Sequence, residues 1–184
     1  MNAPIRFVAI GLAVSATVAF ASVLGRAAVA RDFSASAAGE EDTTSIEDYS
    51  YPNADRYLAD KNVKLVSGDG RIVIAECDDP PQGDIGVIKV YTSDPSINHG
   101  GLVCFKVLSS TGQLTMEVPS VFEIRGDGQR SGTGHEMTAT VTPEDGPKKT
   151  VELDPDGSIQ VGIGTTPPGP PDTLLELKVT VPGK

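Results

Sequence analysis

The chain has 184 residues, a formal net charge of −10, two cysteines and two histidines. Such an acidic composition repels phosphate backbones, which disfavours a nucleic-acid partner, and beyond the first thirty residues there is no Lys/Arg cluster of the kind that anionic lipid headgroups attract. Two cysteines and two histidines scattered along the chain also make a poor zinc-binding set.

The first thirty residues have the three-part layout of a secretory signal peptide. A short start that carries Arg6 precedes an uncharged apolar run, residues 7–24, and the small residues at 28–30 match what a signal peptidase reads. We expect residues 1–30 to be removed and the protein to be secreted, with residues 35–37 as a second cleavage site. A retained membrane anchor is the alternative, because a run of about 18 residues is at the lower limit for a membrane-spanning helix.

Residues 31–48 are rich in Ser, Ala and Gly and then in acids, with almost nothing to bury, which predicts a disordered acidic linker. Residues 49–184 are then expected to form a single domain. It opens with one short helix over residues 53–61, where Asn53 follows Pro52 and can act as the N-cap.

From Val63 onward, short runs rich in β-branched residues alternate with turn residues, a pattern typical of β-strands. The pattern predicts strands over residues 72–75, 85–91, 102–108, 113–118, 121–125, 136–141, 150–153, 159–163 and 174–181. Apolar and polar residues alternate in several of these runs, which indicates antiparallel sheets with one wet face. The expected fold class is therefore all-β: an antiparallel β-sandwich, Ig-like or jelly-roll, of about nine short strands.

The same alternation assigns side chains to faces. It places Leu114, Met116 and Val118 together, then Met137, Ala139 and Val141, and in the last run Leu175, Leu177, Val179 and Val181. Residues 164–172 contain four prolines, which excludes a central strand and predicts an exposed connection that crosses from one sheet to the other.

Cys77 and Cys104 are the only two cysteines, and export to an oxidising compartment predicts that they form one disulfide. Two free buried thiols are the alternative. We assign no catalytic, cofactor-binding or metal-binding residue.

Reactive side chains are sparse. His99 is predicted to lie in a turn and His135 to start a strand, and a Gly-x-Ser-x-Gly nucleophile motif is absent from the sequence. Eight acids fall in predicted loops, where they could cap turns, act as paired carboxylates or contribute to a calcium site built from several loops: Asp69, Asp78, Asp79, Asp84, Asp94, Asp127, Asp154 and Asp156. The tripeptide at 125–127 reads Arg-Gly-Asp and is predicted at a hairpin tip.

Four segments resemble a group of small secreted actinobacterial proteins: residues 67–77 (SGDGRIVIAEC), 103–107 (VCFKV), 111–119 (TGQLTMEVP) and 124–128 (IRGDG). The resemblance covers roughly residues 51–141. It implies a secreted β domain with a paired cysteine couple and no assigned activity, and similar domains are expected also as accessory pieces of larger exported enzymes.

These observations favour a secreted, non-catalytic β-sandwich that acts as a binding or accessory module, needs no cofactor and recognises an extracellular protein or surface polymer. They predict no nucleic-acid partner and no membrane contact after signal cleavage. One alternative is a secreted hydrolase that uses loop carboxylates. Another is an inhibitor or partner of an exported protease, presenting the Pro-rich loop or a hairpin at residues 126–134.

Overall fold

The computed structural model describes residues 49–181, and all of them belong to one compact unit. The predicted signal peptide (residues 1–30) and acidic linker (residues 31–48) lie outside the described residues. Within residues 49–181, no helix has the length and apolar character that crossing a membrane requires.

The described residues form nine strands and one α-helix, which confirms the all-β prediction. The elements are α1 Ala54–Lys61, β1 Lys64–Gly68, β2 Ile72–Ala75, β3 Ile88–Thr92, β4 Leu102–Val107, β5 Gly112–Arg125, β6 Met137–Pro143, β7 Lys149–Leu153, β8 Ser158–Gln160 and β9 Asp172–Val179. The helix follows Asn53 as predicted, although the Asn53 side chain makes no capping hydrogen bond. Strand β1 was missed by the sequence pattern.

All strand pairs are antiparallel, and they join into one hydrogen-bonded network in the order β2-β4-β3-β5-β9-β6-β7. The first part of β5 pairs with β1 and β9, and its last part pairs with β3 and β8. Strand β5 is therefore shared by two halves of the sheet, β1-β5-β9-β6-β7 and β2-β4-β3-β5-β8. A β-sandwich made of two separate sheets stays a prediction.

The predicted break between residues 113–118 and 121–125 is wrong, because both runs belong to the 14-residue strand β5. Ser120 has a positive φ of 55° and lies where the strand pairing shifts register. The carbonyl of Pro119 accepts a 2.6 Å hydrogen bond from the buried Thr92 hydroxyl, and the carbonyl of Ser120 accepts one of 2.9 Å from the Ser93 amide. A β-bulge at this point thus lets one strand bend from the first half of the sheet into the second.

A single apolar core contains residues from both halves, among them Leu65, Phe105, Met116, Ile124 and Leu177. Burial alternates along β6 as predicted, with Met137, Ala139 and Val141 all buried, and Leu114, Met116 and Val118 of β5 share one buried face.

The predicted face of the last strand is partly wrong. Leu174, Leu177 and Val179 are buried, Leu175 is only half-buried, and Val181 lies beyond the strand and is 60% exposed. On β6, Thr140 pairs with Glu176 but the next residue, Val141, pairs with Leu174, so Leu175 is the extra residue of a bulge. A bulge shifts the alternation by one residue, and the sequence pattern does not reveal it.

The Pro-rich residues 164–172 connect β8 to β9, which lie one after the other along the same edge of β5. Most of the connection is exposed, as predicted. Its last residue, Asp172, is instead a buried residue at the start of β9, and its Oδ2 lies 3.4 Å from the Lys149 ammonium.

Candidate functional site

Cys77 and Cys104 are joined in a disulfide, with a Cα–Cα separation of 5.2 Å, as the cysteine count predicts. Cys104 lies on β4 opposite Ala75 on one side and Lys89 on the other. The bond therefore ties the segment that follows β2 to the middle of the sheet half β2-β4-β3-β5-β8.

The connection between β5 and β6 brings an aspartate and a histidine together. Strand β9 lies between β5 and β6, so residues 126–136 cross over it, and the predicted hairpin at this position is wrong. The connection packs against its surroundings: the Gly128 amide donates a 2.8 Å hydrogen bond to the Pro155 carbonyl, and Gly134 adopts a positive φ of 103° close to the same carbonyl. Glycine is needed there because a side chain would strain the backbone.

Asp127 is fully buried in this connection, and both of its carboxylate oxygens are used. Oδ1 accepts a 2.9 Å hydrogen bond from the backbone amide of His135, and Oδ2 lies 2.6 Å from the His135 Nδ1. The Asp127 backbone carbonyl also accepts a 2.7 Å hydrogen bond from the Gly86 amide. The predicted hairpin tip for the Arg-Gly-Asp tripeptide is therefore wrong: the exposed Arg125 ends β5, and Asp127 is buried in the crossover.

His135 forms part of the wall of a cleft of about 230 Å³, between the approach to β3 and the turn that joins β4 to β5. The polar groups of this wall come from Gln82, Lys106, Ser109, Ser110 and His135. The His135 side chain is 24% exposed, and Asp127 occupies its Nδ1. Its remaining ring nitrogen, Nε2, is therefore the polar atom left to meet a ligand. We call this feature the His135 cleft.

The buried carboxylate fixes the orientation of the imidazole, as the aspartate of a catalytic triad does. The second requirement of a triad is a hydrogen bond between the imidazole and a nucleophile, and within residues 49–181 none connects His135 to Ser109 or Ser110. The cleft presents Lys106, Gln82 and two serines as hydrogen-bond donors. Because Nδ1–H of His135 is directed to Asp127, Nε2 accepts a hydrogen bond in the neutral imidazole and donates one only when the ring is protonated. Within the same residues the Lys106 ammonium has no carboxylate within ion-pair distance. The arrangement suits binding of an anion more directly than attack on a substrate.

His99 does not join this site. It belongs to the short helical turn Ile97–His99 as predicted, is exposed, and has a φ of 54°.

Most of the other loop acids hold separate turns, as aspartates beside glycine or proline commonly do. Asp69 accepts hydrogen bonds from the amides of Arg71 and Gln113, and Asp84 pairs with Arg130. Asp94 accepts hydrogen bonds from the hydroxyl and the amide of Ser96, and these two bonds lower the pKa of Asp94 below its ordinary value.

Asp154 and Asp156, two of the loop acids considered for a calcium site, lie in the turn between β7 and β8. Asp154 Oδ1 accepts a hydrogen bond of 3.3 Å from the Asp156 amide, and Asp156 Oδ2 accepts one from the Gly132 amide. These two carboxylates thus fix the turn and its neighbouring loop. In the described part of the chain, no three side chains of His, Cys, Asp or Glu come together in a way that could hold a metal ion.

Sequence reasoning missed the Asp127–His135 pair. The two residues are eight positions apart in a glycine-rich stretch, and that spacing has no regular period that would place one side chain on the other. The available signal was the composition: four glycines among residues 126–134 allow the close backbone packing that buries an aspartate here.

Comparison of the sequence with models of known protein families gives no match, and comparison with curated proteins gives none either. The resemblance to small secreted actinobacterial proteins stays a prediction. The all-β fold, the disulfide and the His135 cleft are the features of the described residues that bear on function.

Proposed function

We propose that this chain is an exported, non-catalytic binding domain that holds an anionic group in the His135 cleft. The observation that carries the proposal is that Lys106, His135, Gln82 and two serines line one concave space. A carboxylate or phosphate group has several acceptor oxygens and fits a wall made of such donors. The buried Asp127 supports this role because it holds the imidazole in one orientation before the ligand arrives.

Export is supported by two independent features. The first thirty residues have the layout of a signal peptide, and the Cys77–Cys104 bond is of the kind that persists in oxidising compartments. A protein working outside the cell meets anionic groups on surface polymers and on other exported proteins.

The test is an NMR titration of the folded protein with inorganic phosphate, citrate and glucuronate, with glucose as the neutral control. We expect the acids to shift the amide signals of residues 82–86, 106–110 and 135, and the Lys106→Gln variant to bind them at least about tenfold more weakly. Lys178→Gln removes an exposed cation from β9 and should bind as the unaltered protein does. If none of the acids shifts these signals, the assignment of the cleft as an anion site is wrong.

A secreted hydrolase remains the second candidate, and the Asp127–His135 pair is the observation that favours it. Loop carboxylates support this candidate less, because several of them are engaged in separate turns. Ser109 and Ser110 line the same cleft as His135 and are the candidate nucleophiles for this alternative. Turnover of an activated ester that disappears in His135→Ala and in one of the serine-to-alanine variants would establish hydrolysis and overturn the non-catalytic proposal.

The third candidate, a partner or inhibitor of an exported protease, is carried by the exposed Pro-rich connection at residues 164–172. The loop at 126–134 supports it less, because its amides and side chains bind Pro155, Asp84 and Asp156. Recovery of one protease from culture supernatant by the unaltered protein, but not by a variant with glycines in place of Pro167 and Pro168, would favour this candidate.

A further inference from the structure

Three cations lie on the outer face of the sheet half β2-β4-β3-β5-β8. On β3, Lys89 lies between the buried residues Ile88 and Val90, so it points away from the core. On β4, Lys106 lies between the buried residues Phe105 and Val107, and on β5 the exposed Arg125 follows the buried Ile124.

The strand register places these cations side by side. Lys89 is directly opposite Arg125 on β5 and directly opposite Cys104 on β4, and Lys106 is two residues beyond Cys104 on the same face. Directly opposed residues have Cβ atoms about 4.5–5.5 Å apart, and diagonal ones about 7–8 Å. Lys106, Lys89 and Arg125 therefore lie next to one another across three strands, and we call them the basic row. One acid lies on the same face: Glu123 is directly opposite Tyr91, two residues before Arg125 and diagonal to Lys89.

The basic row has no carboxylate within ion-pair distance in the described residues, although the chain has 25 acidic residues against 15 basic ones. Elsewhere in the described chain five cations are paired with carboxylates: Arg56, Lys61, Lys64, Arg130 and Lys149. Like charges placed directly opposite each other destabilise a sheet. Glu123 offsets part of the repulsion between Lys89 and Arg125, and an anionic partner would neutralise the remaining positive charge of the row.

An aromatic pair continues the same face. Tyr91 lies two residues after Lys89 on β3, between the buried residues Val90 and Thr92, and its ring centroid is 6.2 Å from that of Phe122. Both rings are half-buried, so each keeps part of its surface accessible. Aromatic rings beside cations suit a partner that combines flat apolar faces with negative charges, as a sugar ring with a carboxylate does.

We infer that this face binds an acidic polysaccharide, a polymer of carboxylated sugar units, with its carboxylates on the basic row and a sugar ring against Tyr91 and Phe122. Charge complementarity at the basic row favours a polyanion over a neutral polymer. The aromatic pair favours sugar units over an acidic peptide. The inference goes beyond the anion site of the His135 cleft, because Lys89 and Arg125 are not among the residues that line that cleft.

The experiment measures binding of the full folded protein to polygalacturonate, with dextran as the neutral polymer and poly-glutamate as the acidic peptide. The test variant carries Lys89→Gln and Arg125→Gln. The matched control carries Lys148→Gln and Lys178→Gln, which removes the same amount of charge from exposed positions off this face. The melting temperature of the test variant is measured as the folding control and should be close to that of the unaltered protein, since the variant removes the contact between the two like charges together with their attraction to Glu123.

We expect binding to polygalacturonate that weakens with salt, is at least about tenfold weaker in the test variant and is unchanged in the control. Absence of binding, or an equal loss in both double variants, overturns the inference. Equal affinity for poly-glutamate, together with full binding by Tyr91→Ala, excludes a sugar-specific face and also overturns it.

The variant His135→Gln separates this inference from the cleft proposal. This variant should still bind polygalacturonate but should no longer bind phosphate, citrate or glucuronate. If the polymer is lost as well, the cleft and not the basic row holds it, and the inference fails while the cleft proposal stands.

Discussion

Replacing Asp127 with alanine tests whether the buried carboxylate organises the connection between β5 and β6. The change leaves the amide and the Nδ1–H of His135 without their acceptor, in a place where the aspartate itself is 0% exposed. Hydrogen bonds to a charged group contribute about 1.5–3 kcal/mol each. The lower value applies to both bonds, because the ring is partly exposed and water can replace part of what is lost. We therefore expect the variant to lose about 3 kcal/mol of unfolding free energy.

The measurement is equilibrium unfolding in urea, followed by circular dichroism. With a urea m-value of about 2 kcal/mol/M, the expected loss shifts the midpoint downward by about 1.5 M. Asp127→Asn keeps one acceptor and should lose roughly half as much. Asp78→Ala removes an exposed carboxylate and is the control. If Asp127→Ala unfolds at the same midpoint as Asp78→Ala, the buried pair does not hold this connection and the argument for a fixed imidazole fails.

Three further predictions follow from the fold. Replacing Cys77 and Cys104 with serine should cost about 3–4 kcal/mol in urea unfolding, as the chain-entropy model gives for their separation of 27 residues; an unchanged midpoint would contradict it. Leu177→Ala should lower the free energy of unfolding by about 2–5 kcal/mol, measured by thermal unfolding. Leu175→Ala should lower it clearly less, because Leu175 is only half-buried, and equal losses would refute the bulge in β9. Burial raises the pKa of Tyr51 above the ordinary 10.0 although the Ile74 amide donates to its hydroxyl. The Tyr51 hydroxyl therefore holds its proton more tightly in the folded state than in the unfolded state. The contribution of Tyr51 to stability is fully present below pH 10.0 and is lost as the pH rises through the higher pKa of the folded state. Absorbance titration of tyrosinate should show one late-ionising tyrosine that is missing in Tyr51→Phe.

The strands could be predicted from the sequence because their signal is local. Residues 72–75 match β2 residue for residue, and the alternation along residues 136–141 assigns the buried face of β6 correctly. Both depend only on side-chain polarity at a period of two. The pairing of Cys77 with Cys104 was equally accessible, since two cysteines allow one connectivity.

The two bulges could not be predicted, because each results from long-range pairing. Ser120 looks like a turn residue after Pro119, yet hydrogen bonds from Thr92 and Ser93 keep both residues within one strand. Leu175 continues the apolar alternation of its neighbours, and only the register with β6 moves it off the core face.

The candidate site could not be predicted either, because it too results from contacts between residues that are distant in the sequence. His135 is separated from Lys106 by a whole strand and a crossover, and only the folding of β5 and β6 around β9 brings both to one cleft. No sequence motif links them.

The net charge of the chain does not reveal the basic row, which is the feature that most favours a binding role. The net charge of −10 predicts repulsion of phosphate backbones, but it contains no information on where the 15 cations lie. Lys89, Lys106 and Arg125 belong to three strands, and the antiparallel register alone aligns them into the basic row. An acidic domain with one basic face is oriented by the field of an anionic surface, because that face is attracted while the rest of the molecule is repelled. The excess of acids then makes binding selective for one orientation, which a uniformly basic protein could not achieve.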